Sequence, residues 1–389
     1  MRILLIGNLP YTRIGGIEKY HFNVIKLLLK NYPQAQIDEY SICAALEYDQ
    51  LPPIRPAIPN VNIILNSCYQ NNNYSHKFNI KQYFKRIRHG CEQITKLMAQ
   101  NQYDLCVCSV FHLAKKIKFN LNKTIFIQHM DVSFYDNSCF TNDKWAKLTL
   151  WWIKYFHKCI PALAIANVRK IICYTKYDKI KIKQKFKSTT HAQFFNVPLG
   201  YETHLSVPSR NKPAIIAYCG RIDNQQKNIS FLIKLMKYLH KLTPYQLVLW
   251  GGGEMVKDLS NKPNIVYRGT YSSDTDLRNI YQDVKFAINT SRTEGFSYSL
   301  LEAMSLGVPI IVRDTYSNAR FLVNGKKNGI IIPKKMKPQI AAAHIASLIN
   351  KIDYERMQKN CLSFVKNKCN IKLVNQKLLT AFSSVLDHK

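Results

Sequence analysis

The chain has 389 residues, 47% of them apolar and 12% aromatic, which suffices for two packed domains and excludes a mainly disordered chain. Lys and Arg outnumber Asp and Glu 56 to 24, a net charge of +32 spread over both halves rather than gathered in a tail. Lys-rich codon usage accounts for part of it; the rest is a field that attracts phosphorylated substrates, anionic lipid headgroups or nucleic acid.

In chain order, short apolar runs alternate with helix-length amphipathic stretches, the pattern of a mostly parallel sheet covered by helices. Residues 2–7 form the first predicted strand, too short for a signal peptide. Gly15-Gly16 then opens a helix from Ile17. Further strands are predicted at 37–43, 61–66, 104–110, 124–129, 170–174 and 193–197. Residues 77–88 place Ile80, Tyr83, Phe84 and Ile87 at i, i+3, i+4 and i+7, with Lys81, Lys85 and Arg88 elsewhere. That is a basic amphipathic helix, suited either to an anionic bilayer surface or to packing on its own sheet. Residues 176–187 hold six Lys among Ile180, Ile182 and Phe186.

Leu148 to Ala166 comes closest to a membrane span, but Lys154, His157, Lys158 and Pro161 interrupt it. The eleven cysteines include no Cys-x-x-Cys pair. Several of them (Cys43, Cys106, Cys108, Cys173, Cys219) sit in apolar runs as small hydrophobes, so a reducing, cytoplasmic location is expected.

Gly200 to Pro213 is polar and reads as a linker. After it the strand series restarts at 214–219, 245–250, 264–268, 285–289, 309–312 and 328–332, and about 337–386 is helical. The expected domains are 1–200 and 201–370, both Rossmann-like and doubly wound, with 371–389 a helix packing back on the first.

The richest window follows the strand at 285–289. Glu294 lies at a strand–helix turn, and Glu302 lies eight residues on, inside the helix. Amides at a helix N-terminus suit a phosphate or sugar oxygens, and flanking carboxylates suit hydroxyl-rich ligands. The alternative makes Glu294 a helix cap and Glu302 a surface acid.

Glu294-Gly295-Phe296-Ser297-Tyr298-Ser299-Leu300-Leu301-Glu302, followed by Gly307-Val308-Pro309, resembles the Glu-x7-Glu signature of family-4 retaining glycosyltransferases. That resemblance implies the GT-B architecture, an α/β fold of two Rossmann-like domains facing across a cleft. It makes Glu294 a catalytic residue that orients the donor sugar and Glu302 the holder of the ribose hydroxyls. Gly295, Phe296, Ser297 and Tyr298 would bring their amides to the donor, although family members often carry Gly where Ser297 stands. Gly15-Gly16 is similar to the family's first glycine loop, which puts Gly16 near the diphosphate. Gly220-Arg221-Ile222-Asp223 through Lys227-Asn228 resembles its Gly-Arg…Lys-Asn segment, making Arg221 and Lys227 the cations that neutralise the departing diphosphate. Trp250-Gly251-Gly252-Gly253-Glu254 resembles its glycine turn. Ile125 to His129 resembles the strand that ends in a sugar-contacting residue, which assigns His129 a catalytic role.

A metal site is not expected: Asp274-Thr275-Asp276 opens a helix and reads as N-capping, and the eleven His show no ligand spacing. No other cofactor is implied, a nucleotide-sugar being a substrate. The expected activity is transfer of a hexosyl group from a nucleotide-sugar, a UDP-sugar first, to a lipid-linked saccharide in cell-surface polysaccharide synthesis. A glycolipid synthase acting on diacylglycerol and a non-catalytic basic binding protein are the alternatives. Expected partners are the donor, the saccharide or lipid-linked acceptor and an anionic membrane surface reached through 77–88 and 176–187, with no specific nucleic acid. The location would be cytoplasmic, peripheral on the inner face of the membrane.

Overall fold

The computed structural model describes residues 1–7, 16–41, 58–65, 80–109, 117, 119–129, 168–186, 189, 191–202, 212–259, 262–271 and 274–387. For 17–18, 65, 80–87 and 274–276 it describes the backbone alone. The described residues divide into two compact units: those up to Val197 together with those from Asn375 on, and those within Pro198–Val374.

The first unit holds strands β1 (Arg2–Gly7), β2 (Gln36–Ser41), β3 (Val61–Leu65), β4 (Leu105–Cys108), β5 (Thr124–Ile127), β6 (Lys170–Cys173) and β7 (Gln193–Asn196). They form one parallel sheet in the order β3-β2-β1-β4-β5-β6-β7. Among the described residues its helices include α1 (Gly16–Asn31), α2 (Ile80–Gln100) and α3 (Lys176–Lys185). A parallel strand covered on both faces has no wet side, so it reads as an apolar run rather than an alternation. Ile3, Leu4, Leu5 and Ile6 are accordingly fully buried, with Ile3 in register with Ile37 and Leu105.

The second unit repeats the plan with β8 (Ile215–Cys219), β9 (Gln246–Trp250), β10 (Ile265–Tyr267), β11 (Phe286–Asn289), β12 (Ile310–Arg313) and β13 (Gly329–Ile332). Their order is β10-β9-β8-β11-β12-β13, again parallel. Helices α4 (Ile229–Leu239), α5 (Asp274–Tyr281), α6 (Tyr298–Ser305), α7 (Ser317–Val323), α8 (Pro338–Ile349) and α9 (Tyr354–Lys368) surround it. Helix α4 shows how sequence sets the packing. Ile229, Leu232, Leu235, Met236 and Leu239 recur at helical spacing, are all buried, and join the core beneath α8.

Helix α10 (Ile371–Leu386) begins in the second unit and ends in the first, where the Lys170 ammonium donates to the Ser384 carbonyl. Its start is tied to the segment after Val197. Tyr201 N donates to Cys369 O (2.8 Å), and Ile371 N donates to Tyr201 O (3.2 Å).

In each sheet the strand order reverses once, between β1 and β4 and between β8 and β11. Open parallel sheets receive ligands beyond the carboxyl ends of the strands at such a point. The loops that leave those ends therefore define where to look.

Candidate functional site

In the second unit those loops are 220–228, after β8, and 290–297, after β11. Asp223 shapes the first: its Oδ1 accepts from the backbone N–H of Gln226 (2.8 Å) and of Lys227 (3.1 Å). Asn228 then turns the chain with left-handed φ 59°, a conformation Asn tolerates better than most residues, and α4 follows. The two loops are stitched together. Arg292 N donates to Gln226 O (2.8 Å), Thr290 Oγ1 to Lys227 O (3.3 Å), and Arg292 Nε to Asn224 O (3.3 Å).

The stitching brings Lys227 onto Glu294. Their ammonium and carboxylate form an ion pair, with side chains 16% and 8% exposed. Glu294 also accepts from Ser291 Oγ (2.9 Å) and, at 3.4 Å, from Asn289 Nδ2 and Gln226 Nε2. A buried carboxylate persists as an ion only when paired and hydrogen-bonded, and Glu294 has both kinds of partner. It does not cap α6: the N-cap is Ser297, whose side chain makes no cap bond. Ser297 Oγ instead accepts from Asn289 Nδ2 (3.3 Å) and meets Ser299 Oγ (3.3 Å). The hydroxyl that replaces the usual glycine hydrogen is thus turned into the protein's own network. Asn318 Nδ2 holds the Gly295 carbonyl, and Phe296 stacks edge-on against Phe321, centroids 6.0 Å apart. Phe296 is a core side chain, so only its backbone is placed to meet a ligand.

Glu302 is 3% exposed, which removes the surface-acid alternative. Burial pushes up the hydroxyls of Tyr298, Tyr271 and Tyr281, and the nearby Glu302 carboxylate pushes each further. The Cys219 thiol, at the end of β8, is raised to about 12, first by burial. Near Glu294, the Thr293 and Tyr316 hydroxyls are buried with no hydrogen-bond partner among the described residues. Such groups are costly unless something supplies the missing bond.

Arg221 is the exposed cation of the site (side chain 62% exposed), braced by Asp223 Oδ2 (3.7 Å) and by the Gln226 side-chain carbonyl. Its loop is clasped to the glycine turn after β9. Gly220 N donates to Trp250 O (3.0 Å) and Ile222 N to Gly252 O (2.9 Å). A Cβ on Gly251, where φ is +136°, would stand 1.9 Å from Gly220 O. Close backbone approach fixes the glycine there.

In the first unit, His129 follows β5, buried, its two ring nitrogens 2.7 Å from the Tyr174 hydroxyl and 2.9 Å from Ser109 Oγ. Burial, and secondarily His21, lowers its pKa well below the usual value, so the ring is neutral near pH 7. A neutral ring donates and accepts hydrogen bonds; it does not act as a strong base. Gly16 is the exposed first residue of α1, while Gly15 lies outside the described residues.

Residues 77–79 and Lys187 also fall outside; the helix at 80 runs on to Gln100, because Cys91 and Ile94 extend its apolar stripe into the core. Asp274 opens α5 as expected, its side chain not described. Among the described residues, no group of three or more His, Cys, Asp and Glu could hold a metal ion, and no helix is long and apolar enough to cross a membrane. Sequence reasoning missed Gln226, Asn289, Ser291 and Asn318. Asn289 and Asn318 carry a visible signal, a polar side chain at the end of an apolar strand and one inside a packed helix; Gln226 and Ser291 lie in the loops after β8 and β11 and carry none.

Two doubly wound parallel sheets, the second carrying a paired carboxylate at its switch point, define the GT-B class of fold. A solved sucrose-phosphate synthase from Thermosynechococcus elongatus shares that fold over 100% of both chains, with TM-score 0.75 and 17% identity. Residues 202–362, most of the second unit, match the family model "Glycosyl transferases group 1". Over 175 residues it is 26% identical to the UDP-N-acetylglucosamine--peptide N-acetylglucosaminyltransferase GtfA subunit of Streptococcus parasanguinis, covering 43% of this chain and 34% of that one. Over 132 residues it is 30% identical to the lipopolysaccharide 1,6-galactosyltransferase of Salmonella typhimurium, covering 31% and 36%. The matches thus span about a third of the length of these relatives.

Proposed function

We propose that the chain is a retaining glycosyltransferase that moves a hexosyl group from a UDP-sugar to a saccharide acceptor of a cell-surface polymer, carried on a lipid. The observation that carries this reading is the buried Glu294–Lys227 pair at the switch point of the second sheet. Glu294 orients the sugar there, and Glu302 holds the ribose. Lys227 and Arg221 take up the charge that develops on the leaving diphosphate, the main electrostatic demand of the transfer. The names of the relatives support the UDP donor in one case and a saccharide polymer in the other. His129 serves as a neutral hydrogen-bonding contact rather than a base, and the reaction needs no metal.

The test is thermal stabilisation across UDP-, GDP- and ADP-sugars. One UDP-sugar is expected to raise the melting temperature of the native protein and not of Glu302→Ala; no response from a folded protein to any donor sinks the reading.

The acceptor's lipid implies work at the cytoplasmic face of a membrane. Helix α3 supplies a basic surface for it: Lys179 and Lys183 stand over the Phe194 ring (5.7 and 5.5 Å), and Ile180 is 49% exposed. Sedimentation with anionic vesicles is expected to carry the protein down at low salt and release it at high salt. Equal recovery with neutral vesicles rejects the surface.

A further inference from the structure

The first unit holds its own polar cluster, largely buried with Ser109 at its partly exposed edge, at the carboxyl ends of β4, β5 and β6. Ser109 follows β4, His129 follows β5 and Tyr174 follows β6; His21 reaches them from α1. Ser109 Oγ lies 2.7 Å from His21 Nε2 and 2.9 Å from His129 Nε2, and His129 Nδ1 lies 2.7 Å from the Tyr174 hydroxyl. Tyr20 closes the cluster edge-on, 5.0 Å from the His129 ring. The cluster borders the β1–β4 reversal, where an open sheet receives its ligand.

The hydrogens can be counted. A serine hydroxyl has one hydrogen and cannot donate to two imidazoles, so the ring that does not receive it must offer its own N–H to Ser109 Oγ. With Ser109 donating to His21, His129 carries its hydrogen on Nε2, and Nδ1 accepts from Tyr174. With Ser109 donating to His129, the hydrogen moves to Nδ1 and the Tyr174 oxygen accepts. Each tautomer of His129 is therefore one setting of a single hydrogen-bond chain, and Ser109 is its pivot. The array is a frame for a neutral ring, because burial opposes the charge that a base would have to take up.

We propose that Ser109 is a positioning residue of the transfer reaction: held by His21, it sets the tautomer and ring orientation of His129. The proposal rests on the reading of His129 as the sugar contact of the first unit. It adds that the contact is set by a serine and a second histidine, and that removing the serine leaves the imidazole hydrogen-bonded on the Tyr174 side alone.

The experiment compares native protein, Ser109→Ala and Ser109→Thr, which keeps the hydroxyl. Long-range proton–nitrogen spectra read the His129 tautomer in the free protein, and donor hydrolysis reads kcat and KM separately. Ser109→Ala is expected to change the tautomer ratio and to lower kcat by on the order of tenfold with donor KM little altered. Ser109→Thr restores most of both. An unchanged tautomer ratio in Ser109→Ala overturns the proposal, as does a changed ratio with native kcat. If the native protein turns over donor and Ser109→Ala matches it throughout, only the positioning role falls. If folded native protein neither binds nor hydrolyses any donor, the reading of the site falls and takes the positioning role with it.

Discussion

Lys227 and Glu294 illustrate how much a single pair can determine. Replacing one partner of a buried pair strands the other charge, at a cost of about 3–5 kcal/mol where nothing else compensates. Here Ser291, Asn289 and Gln226 still bond the carboxylate, so Lys227→Met is expected to cost ~2–3 kcal/mol of stability. Urea unfolding measures it, and a loss below half a kcal/mol would show the pair to be dispensable for folding. His129 provides a pH dependence of known sign. Its folded pKa lies below its unfolded value of about 6.5, so on acidification the unfolded chain takes up the proton first. The stability from neutral, buried His129 is complete above that unfolded value and is lost as pH falls through it toward the folded one. Melting temperature is expected to drop between pH 7 and 5, and less steeply in His129→Gln. Parallel curves for the two proteins would refute the assignment.

At the scale of elements, the glycine turn after β9 is the most constrained. Gly251→Ala pushes a methyl into the Gly220 carbonyl at a backbone angle that L residues rarely adopt. A loss above ~3 kcal/mol is expected, because strain and steric clash act together and the Arg221 loop shifts with the turn. A soluble Gly251→Ala with native melting temperature and donor response would refute this account. The elements themselves were legible in the sequence for a physical reason. Runs such as Ile3–Ile6 and Phe286–Ile288 are buried on both faces, and such strands announce themselves as unbroken apolar stretches. The Glu294–Glu302 spacing was legible too, because a strand–turn–helix places it locally. What stayed hidden is what the fold assembles at a distance. Gln226 meets Glu294 across 68 residues and His21 meets Ser109 across 88. His21 sits next to Tyr20 on the buried face of α1 and reads in sequence as one more core position. The extra length of α2 was missed because the sequence reading stopped at the basic stretch, while Cys91 and Ile94 carry the helix on.

For the molecule as a whole, the charge of +32 is a field that favours anionic partners, and open parallel sheets of this kind take ligands where their strand order reverses. The path of helix α10 has a separate bearing, on the order of events at the ribosome. The described residues of the second unit all fall within Pro198–Val374, whereas the first unit needs residues from Asn375 on, among them the buried Leu378, Phe382 and Val385. At roughly 5–20 residues per second, the first unit waits on the order of ten seconds or more after its seventh strand emerges before that helix exists to complete it. The unit that comes second in the chain can finish first. During the wait the first unit lacks the buried side chains that α10 supplies, so translation speed between β7 and α10 bears on yield independently of the stability of the finished protein.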